Sequence, residues 1–186
     1  SGKSRLLHEL RRRAAGLDVR FLFGRCDAYG RGTPYMPFVD VLRDLLMQEP
    51  SDDTSAPDER LAVRVRELDA SLVDNLPFYC ALLAIPSPRY PLPRHLQGEH
   101  LQAAMLDALT AVLTHASRQH AIGLQLEDWH WADEASRAAL DRLSELAPSH
   151  ALLLAVTCRS DAGIDWSSGE GHTLLQLGPL GLDNST

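Results

Sequence analysis

The sequence predicts an α/β fold, in which a parallel sheet carries helices on both faces and the domain has three layers. Two largely apolar segments, residues 121–127 and 151–157, have the composition of strands that are buried on both sides. Segments whose apolar residues recur at the three- and four-residue spacing of a helix alternate with them. With 186 residues and 45% hydrophobic content, the chain can bury a sizeable core. We therefore predict a single domain over residues 1–186.

The first elements follow from local patterns. Residues 2–15 have leucines at helical spacing, and Gly16 can close this helix. Residues 19–23 are rich in β-branched and aromatic side chains between turn-forming residues, which is typical of a strand. After a turn-rich loop, residues 38–49 form a second amphipathic helical segment, which Pro50 stops.

Residues 49–96 interrupt this alternation. They begin with an acidic stretch that contains Ser and Pro, continue with broken helical spacing, and end with four prolines between residues 85 and 95. We expect an acidic and proline-rich helical insertion within the domain. Its last part is interpreted as a rigid connector, and a docking segment for a partner with an aromatic groove is the alternative.

The second half returns to regular elements. A long helix is predicted at residues 97–117, directly before the strand at 121–127. Asp133 is a suitable N-cap for the next helix, and the strand at 151–157 follows it. A last short strand is expected at residues 173–177.

Composition argues against several classes of function. The formal net charge of −7 and the pI near 5.5 argue against nucleic-acid binding, which needs clustered Lys and Arg. Cys26, Cys80 and Cys158 are widely spaced and form no CxxC pair, which indicates a reduced compartment. The longest apolar run, residues 151–156, is too short to span a bilayer. We expect a cytoplasmic protein that contacts neither nucleic acid nor membrane through this segment.

The opening SGKSRLL has the ending of the phosphate-binding loop GxxxxGK[ST]. In such a loop backbone N–H groups surround the phosphates, the Lys reaches the outer ones and the hydroxyl binds Mg²⁺. Gly2, Lys3 and Ser4 are therefore candidate nucleotide-binding residues, and Ser4 is also a candidate metal ligand. The alternative for Lys3 is a solvated lysine in the first turn of a helix, where a cation is mildly unfavourable.

Two adjacent carboxylates, Glu127 and Asp128, stand where the strand at 121–127 ends. Open α/β sheets bind ligands at this edge, and neighbouring carboxylates there are best explained by a cation or a polarised water between them. Glu127 is then predicted to hold Mg²⁺ through a water, and Asp128 to orient and polarise the attacking water. The alternative is a plain strand end followed by a helix cap.

Other residues near these motifs have less certain roles. Arg159 follows the strand at 151–157, where it could reach a γ-phosphate, and a surface salt bridge is its alternative. Thr157 could bond the attacking water or the neighbouring loop. We interpret His130 as a packed, hydrogen-bonded ring, and the tryptophans on either side of it as lining or packing groups rather than a cofactor platform.

With these motifs in place, the sequence resembles the nucleotide-binding core of STAND-type signalling ATPases. These are AAA+-related P-loop proteins described as origin-recognition-complex-like AAA ATPase domains, and they occur beside class III adenylate or guanylate cyclase, kinase or transcriptional-regulator modules. The resemblance covers nearly the whole chain. Its segments are GKSRLL, GRCDAYGRGTPYMPF, LEDWHWADEAS, LLLAVTCRSD and LQLGPL.

The resemblance implies a three-layer P-loop NTPase with the sheet order 5-1-4-3-2, with ATP and Mg²⁺ at the carboxyl edge of the sheet. It also implies a nucleotide-driven switch rather than a metabolic reaction. The residues it assigns are Gly2, Lys3 and Ser4 as the phosphate loop, Glu127 and Asp128 as the acidic pair, and Arg159 as the sensor after the fourth strand.

Two departures from the family pattern matter. The phosphate loop lacks its first Gly and the strand before it, so we expect a fragment that alone neither binds ATP tightly nor folds stably. Glu127 stands where many P-loop proteins carry Asp, which leaves open which of the two carboxylates faces the metal.

Three functions remain as hypotheses. The first is slow, Mg²⁺-dependent ATP hydrolysis that drives a switch, coupled to cyclase, kinase, TPR or DNA-binding effector domains in the same polypeptide and to a nucleotide-dependent oligomer. The second is a regulatory module that holds ATP or ADP without hydrolysis. The third is a small-molecule kinase, for which the sequence shows no lid arginines or acceptor pocket.

Overall fold

The computed structural model describes residues 2–28, 34–47, 55–159, 171 and 173–178. Short 3₁₀ turns occupy residues 70–75, 129–131 and 147–149. The strands are β1 (Val19–Arg25), β2 (Ala121–Glu127) and β3 (Leu152–Val156). The helices are α1 (Gly2–Ala14), α2 (Met36–Leu46), α3 (Pro57–Leu68), α4 (Leu76–Leu82), α5 (Gly98–Gln119) and α6 (Glu134–Leu146).

The three strands form one parallel sheet in the order β1-β2-β3. Leu22 of β1 lies opposite Leu124 of β2, which in turn lies opposite Leu154 of β3. The predicted α/β class with a parallel sheet is therefore confirmed. The expected order 5-1-4-3-2 contains the run 4-3-2. Among the described residues, β3, β2 and β1 correspond to that run.

One face of the sheet packs against the main hydrophobic core. Leu22, Leu124 and Leu126 point to this face, since side chains alternate along a strand, and all three are fully buried. They belong to one cluster with apolar side chains from each of α2 to α6. Helix α2 lies so close to β1 that a Cβ on Gly24 would overlap the carbonyl oxygen of Pro37.

Helix α1 lies on the opposite face and covers part of it. Leu7 of α1 is buried but lies outside the main cluster. The guanidinium of Arg11 stacks 4.6 Å from the centre of the Phe23 ring, which projects from this face of β1. Helices therefore lie on both faces of the sheet, as the three-layer prediction requires, and on the α1 face Phe23 and Leu153 remain 37% and 48% exposed.

The region predicted as an insertion contains α3, a 3₁₀ turn and α4. Its proline-rich end is anchored to α3, because Ser87 donates a 2.7 Å hydrogen bond to the buried carboxylate of Asp58 and Arg89 forms an ion pair with Glu59. Tyr90 packs against the core. These contacts favour the connector over the docking segment. The domain limits themselves remain a prediction.

The strand predicted at residues 173–177 is wrong. Residues 173–178 have no regular secondary structure, and Leu174 and Leu175 are 76% and 66% exposed. A strand forms only when a neighbour satisfies its backbone N–H and C=O groups, and no described strand pairs with this segment. The apolar run at residues 173–177 was therefore insufficient evidence for a strand. Residues 29–33 of the turn-rich loop before the second helix, and residues 160–170, lie outside the described residues.

Gln125 is the polar exception inside the sheet. It projects from the face under α1, between Phe23 of β1 and Ala155 of β3 in the register, and is 1% exposed. Neither its amide oxygen nor its amide nitrogen has a hydrogen-bond partner among the described residues. Burying an amide without partners costs about 1–3 kcal/mol.

We predict that Gln125→Met stabilises the domain by about 1–2 kcal/mol, because methionine keeps the length of the side chain and removes both unpaired polar atoms. The measurement is the midpoint of denaturant unfolding of the domain in the protein expressed with its native flanking sequence. Gln102→Met is the matched control, since Gln102 is exposed, and it should change the midpoint little. A loss of stability in Gln125→Met alone would show that the amide has a partner.

Candidate functional site

We infer that the start of α1 lies at the carboxyl edge of the sheet. A four-residue connection joins the end of α1 to the start of β1, so the two elements run in opposite directions. The 13-residue helix is about 20 Å long and the seven-residue strand about 23 Å. Gly2, Lys3 and Ser4 therefore lie at the same edge as the end of β2. The first turn contains no acidic side chain, which leaves its N–H groups available to an anion.

Glu127 and Asp128 leave β2 in different directions. Glu127 is the last residue of the strand and shares the α1 face with Gln125, because the two are separated by one residue. Its carboxylate has no hydrogen bond or ion pair with any described residue. Asp128 adopts the left-handed conformation, with φ 56° and ψ 38°, which turns the chain out of the strand.

The Asp128 carboxylate is held from the neighbouring strand by Arg25. Nε and one Nη of Arg25 lie 3.2 Å and 3.1 Å from the same oxygen, Oδ2. The backbone N–H of Asp128 donates a long 3.4 Å hydrogen bond to Oγ1 of Thr157, after β3. Within the described part of the chain, one carboxylate thus lies on the α1 face without a partner and the other is oriented by the ends of β1 and β3.

The WHW turn after Asp128 fixes the path of the chain. Trp129 is 2% exposed, meets Phe38 edge to face at 6.4 Å, and donates its backbone N–H to the carbonyl of Thr157 at 2.9 Å. Trp129 is therefore a packing group, as predicted. The hydrogen-bonded ring expected for His130 is wrong, because neither buried ring nitrogen has a partner among the described residues and the ring instead contacts Trp131 at 4.9 Å.

Asp133 caps α6 as the sequence predicted. Its carboxylate accepts hydrogen bonds from the backbone N–H and the hydroxyl of Ser136, at 2.9 Å and 2.6 Å. It also accepts a 3.5 Å hydrogen bond from the N–H of Tyr35, which lies just before α2. The cap therefore connects the turn after Asp128 to the start of α2.

Arg159 is not brought into contact with the acidic pair. It is exposed, lies three residues after β3, and makes no hydrogen bond or salt bridge with a described residue. Neither its sensor role nor its alternative as a surface salt bridge is therefore seen in the structure. Thr157 is the residue after β3 that contacts Asp128.

A cavity of about 310 Å³ opens at the ends of β1 and β2, and it was not predicted. Cys26 is buried and follows Arg25, a residue that lines the cavity. Burial, together with the negative charges of Asp133 and Asp128, raises the pKa of its thiol to about 12. The thiol is therefore protonated and is not a nucleophile at neutral pH. The cavity is lined by Phe23, Gly24, Arg25, Asp40 and Glu127.

Comparison with known proteins decides the family. Residues 1–156 match the AAA ATPase domain. The chain belongs to the AAA ATPase domain family. An uncharacterized protein of Rhizobium meliloti (strain 1021) is 27% identical to it over 186 residues, which are 99% of this chain and 18% of that protein. The chain thus spans less than a fifth of the relative's length. No solved structure matches it.

The residues of this AAA ATPase domain fit the nucleotide and Mg²⁺ that the family implies. The start of α1 carries Lys3 and no acid, and Glu127 offers a carboxylate that no described residue occupies. Among the described residues no group of three or more His, Cys, Asp or Glu could hold a metal by itself. Mg²⁺ in such sites keeps several waters and binds substrate phosphates with one or two protein ligands, so this is consistent with the family.

The helices also bear on membrane association. No helix in the described part of the chain is long and apolar enough to cross a membrane.

Proposed function

We propose that this AAA ATPase domain binds ATP with Mg²⁺ and hydrolyses it slowly, as a nucleotide-driven switch in a larger bacterial signalling or regulatory protein of the STAND type. The observation that carries the proposal is the Glu127–Asp128 pair at the carboxyl edge of one parallel sheet, the edge toward which the direction of α1 brings Gly2, Lys3 and Ser4. Open α/β sheets bind their ligands at this edge. The family match supports nucleotide binding at it.

Each candidate residue has a distinct role in this proposal. The N–H groups at Gly2, the ammonium of Lys3 and the hydroxyl of Ser4 bind the phosphates, and Ser4 and Glu127 hold the metal. Mg²⁺, when bound, neutralises charge that develops on the phosphate oxygens. Glu127 is favoured as the metal residue because its carboxylate lies on the α1 face and pairs with no described residue, whereas that of Asp128 is turned toward Arg25.

Asp128 is the residue that orients the attacking water and accepts its proton. Its Oδ2 is occupied by Arg25, and its Oδ1 has no hydrogen-bond partner among the described residues. Arg159 contributes as a sensor of the γ-phosphate, and its exposed position leaves its side chain free to approach a bound nucleotide.

The output of the switch lies in effector domains elsewhere in the same polypeptide, of the cyclase, kinase, TPR or DNA-binding type. A relative in which the matched region is only 18% of the length supports this arrangement. The proposal includes a cytoplasmic location and a nucleotide-dependent oligomer. It includes no direct nucleic-acid or membrane contact by this segment, whose net charge is −7.

A regulatory module that holds ATP or ADP without hydrolysing it is the second candidate. The Arg25–Asp128 ion pair favours it, because the guanidinium occupies one oxygen of the carboxylate that would otherwise act on the attacking water. The two candidates differ in phosphate release but not in nucleotide binding.

The test is to measure ATP affinity and phosphate release with the protein expressed with its native flanking sequence, with Mg²⁺ and with EDTA. We expect Mg²⁺-dependent binding and slow release of phosphate. Lys3→Ala should weaken ATP binding by about 10- to 100-fold, since one charge-assisted phosphate contact is lost.

Arg5→Ala is the matched control for Lys3→Ala, since Arg5 is an exposed cation two residues further along α1, and it should bind ATP nearly as the parent does. Binding without phosphate release would select the second candidate. Equal ATP affinity in Lys3→Ala and the parent would remove the phosphate-binding assignment.

A further inference from the structure

Helix α1 is held on the sheet by few contacts. Of its 13 residues, all of them within the described part of the chain, Leu7 alone is buried. In α2, by comparison, six of 11 residues are buried. The guanidinium of Arg11 adds the contact with the Phe23 ring. An element with so few buried apolar contacts is displaced at a small cost in free energy, so α1 is able to shift on the sheet.

Two polar side chains on this face lack hydrogen bonds. Gln125 is 1% exposed, and neither its amide oxygen nor its amide nitrogen has a partner among the described residues. Nε of Arg11 is also buried and unpaired in that part of the chain. Both side chains neighbour the same ring, because Arg11 stacks on Phe23 and the register places Phe23 directly beside Gln125. A buried N–H donor on the helix and a buried carbonyl acceptor on the sheet are therefore close to each other but not joined.

The proposed nucleotide site joins the same two elements. Lys3 and Ser4 are at the start of α1 and Glu127 is at the end of β2, so phosphates and Mg²⁺ that bind all three fix the position of α1 relative to β2. Arg11 lies on the same helix, and Gln125 lies on the same strand and on the same face as Glu127. A displacement of α1 that accompanies binding therefore also moves Arg11 relative to Gln125.

We propose that Gln125 is a positioning residue for α1: when nucleotide binds, α1 shifts on β2 and the Nε–H of Arg11 donates a hydrogen bond to the amide oxygen of Gln125. This inference rests on the proposed function, because the nucleotide selects the shifted position of the helix. Gln125 touches neither the phosphates nor the metal in this role. Its hydrogen bond stabilises the position of α1 in which Lys3 contacts the phosphates, and it thereby raises the affinity for ATP.

A buried water that bridges the unpaired atoms is the alternative. Nε of Arg11 and the two polar atoms of the Gln125 amide are enough partners to hold one. Such a bridge forms with or without nucleotide, so Arg11 and Gln125 would already be coupled in the domain alone, and removal of the amide would destabilise it. A pair that closes on binding is coupled only when nucleotide is present.

The experiment compares Gln125→Met, Arg11→Met and the double variant in the protein expressed with its native flanking sequence. The unfolding constant without nucleotide and the Kd for ATP with Mg²⁺ are measured for each, and the two double-mutant cycles give the coupling under each condition. Arg13→Met is the matched control, since Arg13 is an exposed arginine of the same helix and its loss removes the same charge. Hydrogen exchange of the α1 amides, with and without ATP, measures how firmly the helix is held.

We expect Gln125→Met to weaken ATP binding about 5- to 30-fold, which is the factor by which it should stabilise the domain without nucleotide, because it removes a penalty that only the unbound domain carries. Arg11→Met should also weaken binding, and the double variant should bind no more weakly than the weaker single variant. Without nucleotide, the effects of the two substitutions on the unfolding constant should multiply to within about twofold. Arg13→Met should bind ATP as the parent does, and ATP should slow exchange in α1 of the parent more than in Gln125→Met.

Three results would overturn the inference: parental ATP affinity in Gln125→Met, a further loss of affinity in the double variant, or coupling without nucleotide, which the bridging water predicts. Failure of the proposed function is distinguishable, because the parent protein would then bind no ATP whatever the stability of the variants, and the inference would fail with it.

Discussion

Replacing Asp128 by Asn should lower the rate of phosphate release by about 10²- to 10⁴-fold and leave ATP affinity nearly unchanged. The amide has the same size as the carboxylate and can still accept a hydrogen bond from Arg25 through its oxygen. The amide cannot take a proton from water, and the substitution removes one negative charge from the place where water is polarised. The change therefore separates chemistry from binding, and both are measured with the same protein preparation.

Glu127→Gln provides the comparison that separates the two carboxylates. It should raise the Mg²⁺ concentration needed for half-maximal activity, because an amide is a poorer ligand for a hard cation, whereas Asp128→Asn should not. Asp141→Asn, an exposed carboxylate on α6, is the control for the substitution itself. If Asp128→Asn shifted the Mg²⁺ dependence and Glu127→Gln removed turnover, the roles of the two residues would be exchanged.

The fold was predictable from sequence where the determining signal is local. Apolar spacing located every described helix outside residues 49–96, and the two apolar runs at 121–127 and 151–157 became adjacent parallel strands. The acidic pair was predictable for the same reason, since a strand that ends in two carboxylates is visible in a few residues. The family match agrees with what these local motifs indicated.

The remaining features depend on contacts between distant parts of the chain. Arg25 meets Asp128 only because β1 and β2 pair in one register, and the pattern of a single strand does not show which residue of a distant strand will lie opposite. Residues 173–177 have the composition of a strand but no described neighbour to pair with. His130 was expected to have a hydrogen-bond partner, which only the packed structure could test. Local patterns thus located the carboxylates, and the tertiary structure determined how they are oriented.

The need for a glycine at position 24 also depends on a distant part of the chain, the start of α2. Gly24→Ala should destabilise the domain by about 3 kcal/mol or more. An added Cβ would overlap the carbonyl oxygen of Pro37 and lie 2.8 Å from its carbonyl carbon. Those atoms belong to the backbone at the start of α2 and cannot rotate away as a side chain can. Relief would require α2 to move off β1, and Leu22 and Phe38 would then lose the packing that buries them completely.

A graded series of glycine substitutions tests this mechanism. Gly123→Ala should cost less, because its Cβ would meet the Phe21 ring at 2.5 Å, and a ring can turn. Gly16→Ala is the control, since nothing lies within 4 Å of its Cβ, and it should be neutral or slightly stabilising through the unfolded chain. Unfolding midpoints and hydrogen exchange of β1 and α2 measure the order Gly24, Gly123, Gly16.

The same substitution bears on the site. Gly24 precedes Arg25, and the start of α2 contacts Asp133 through Tyr35, so displacement of α2 would disturb both ends of the turn that carries Asp128. Gly24→Ala should therefore lower phosphate release at temperatures where the domain is still folded. Full activity together with unchanged exchange in β1 and α2 would show that the two elements can separate without cost, and the close approach at Gly24 would then have no role in holding the site.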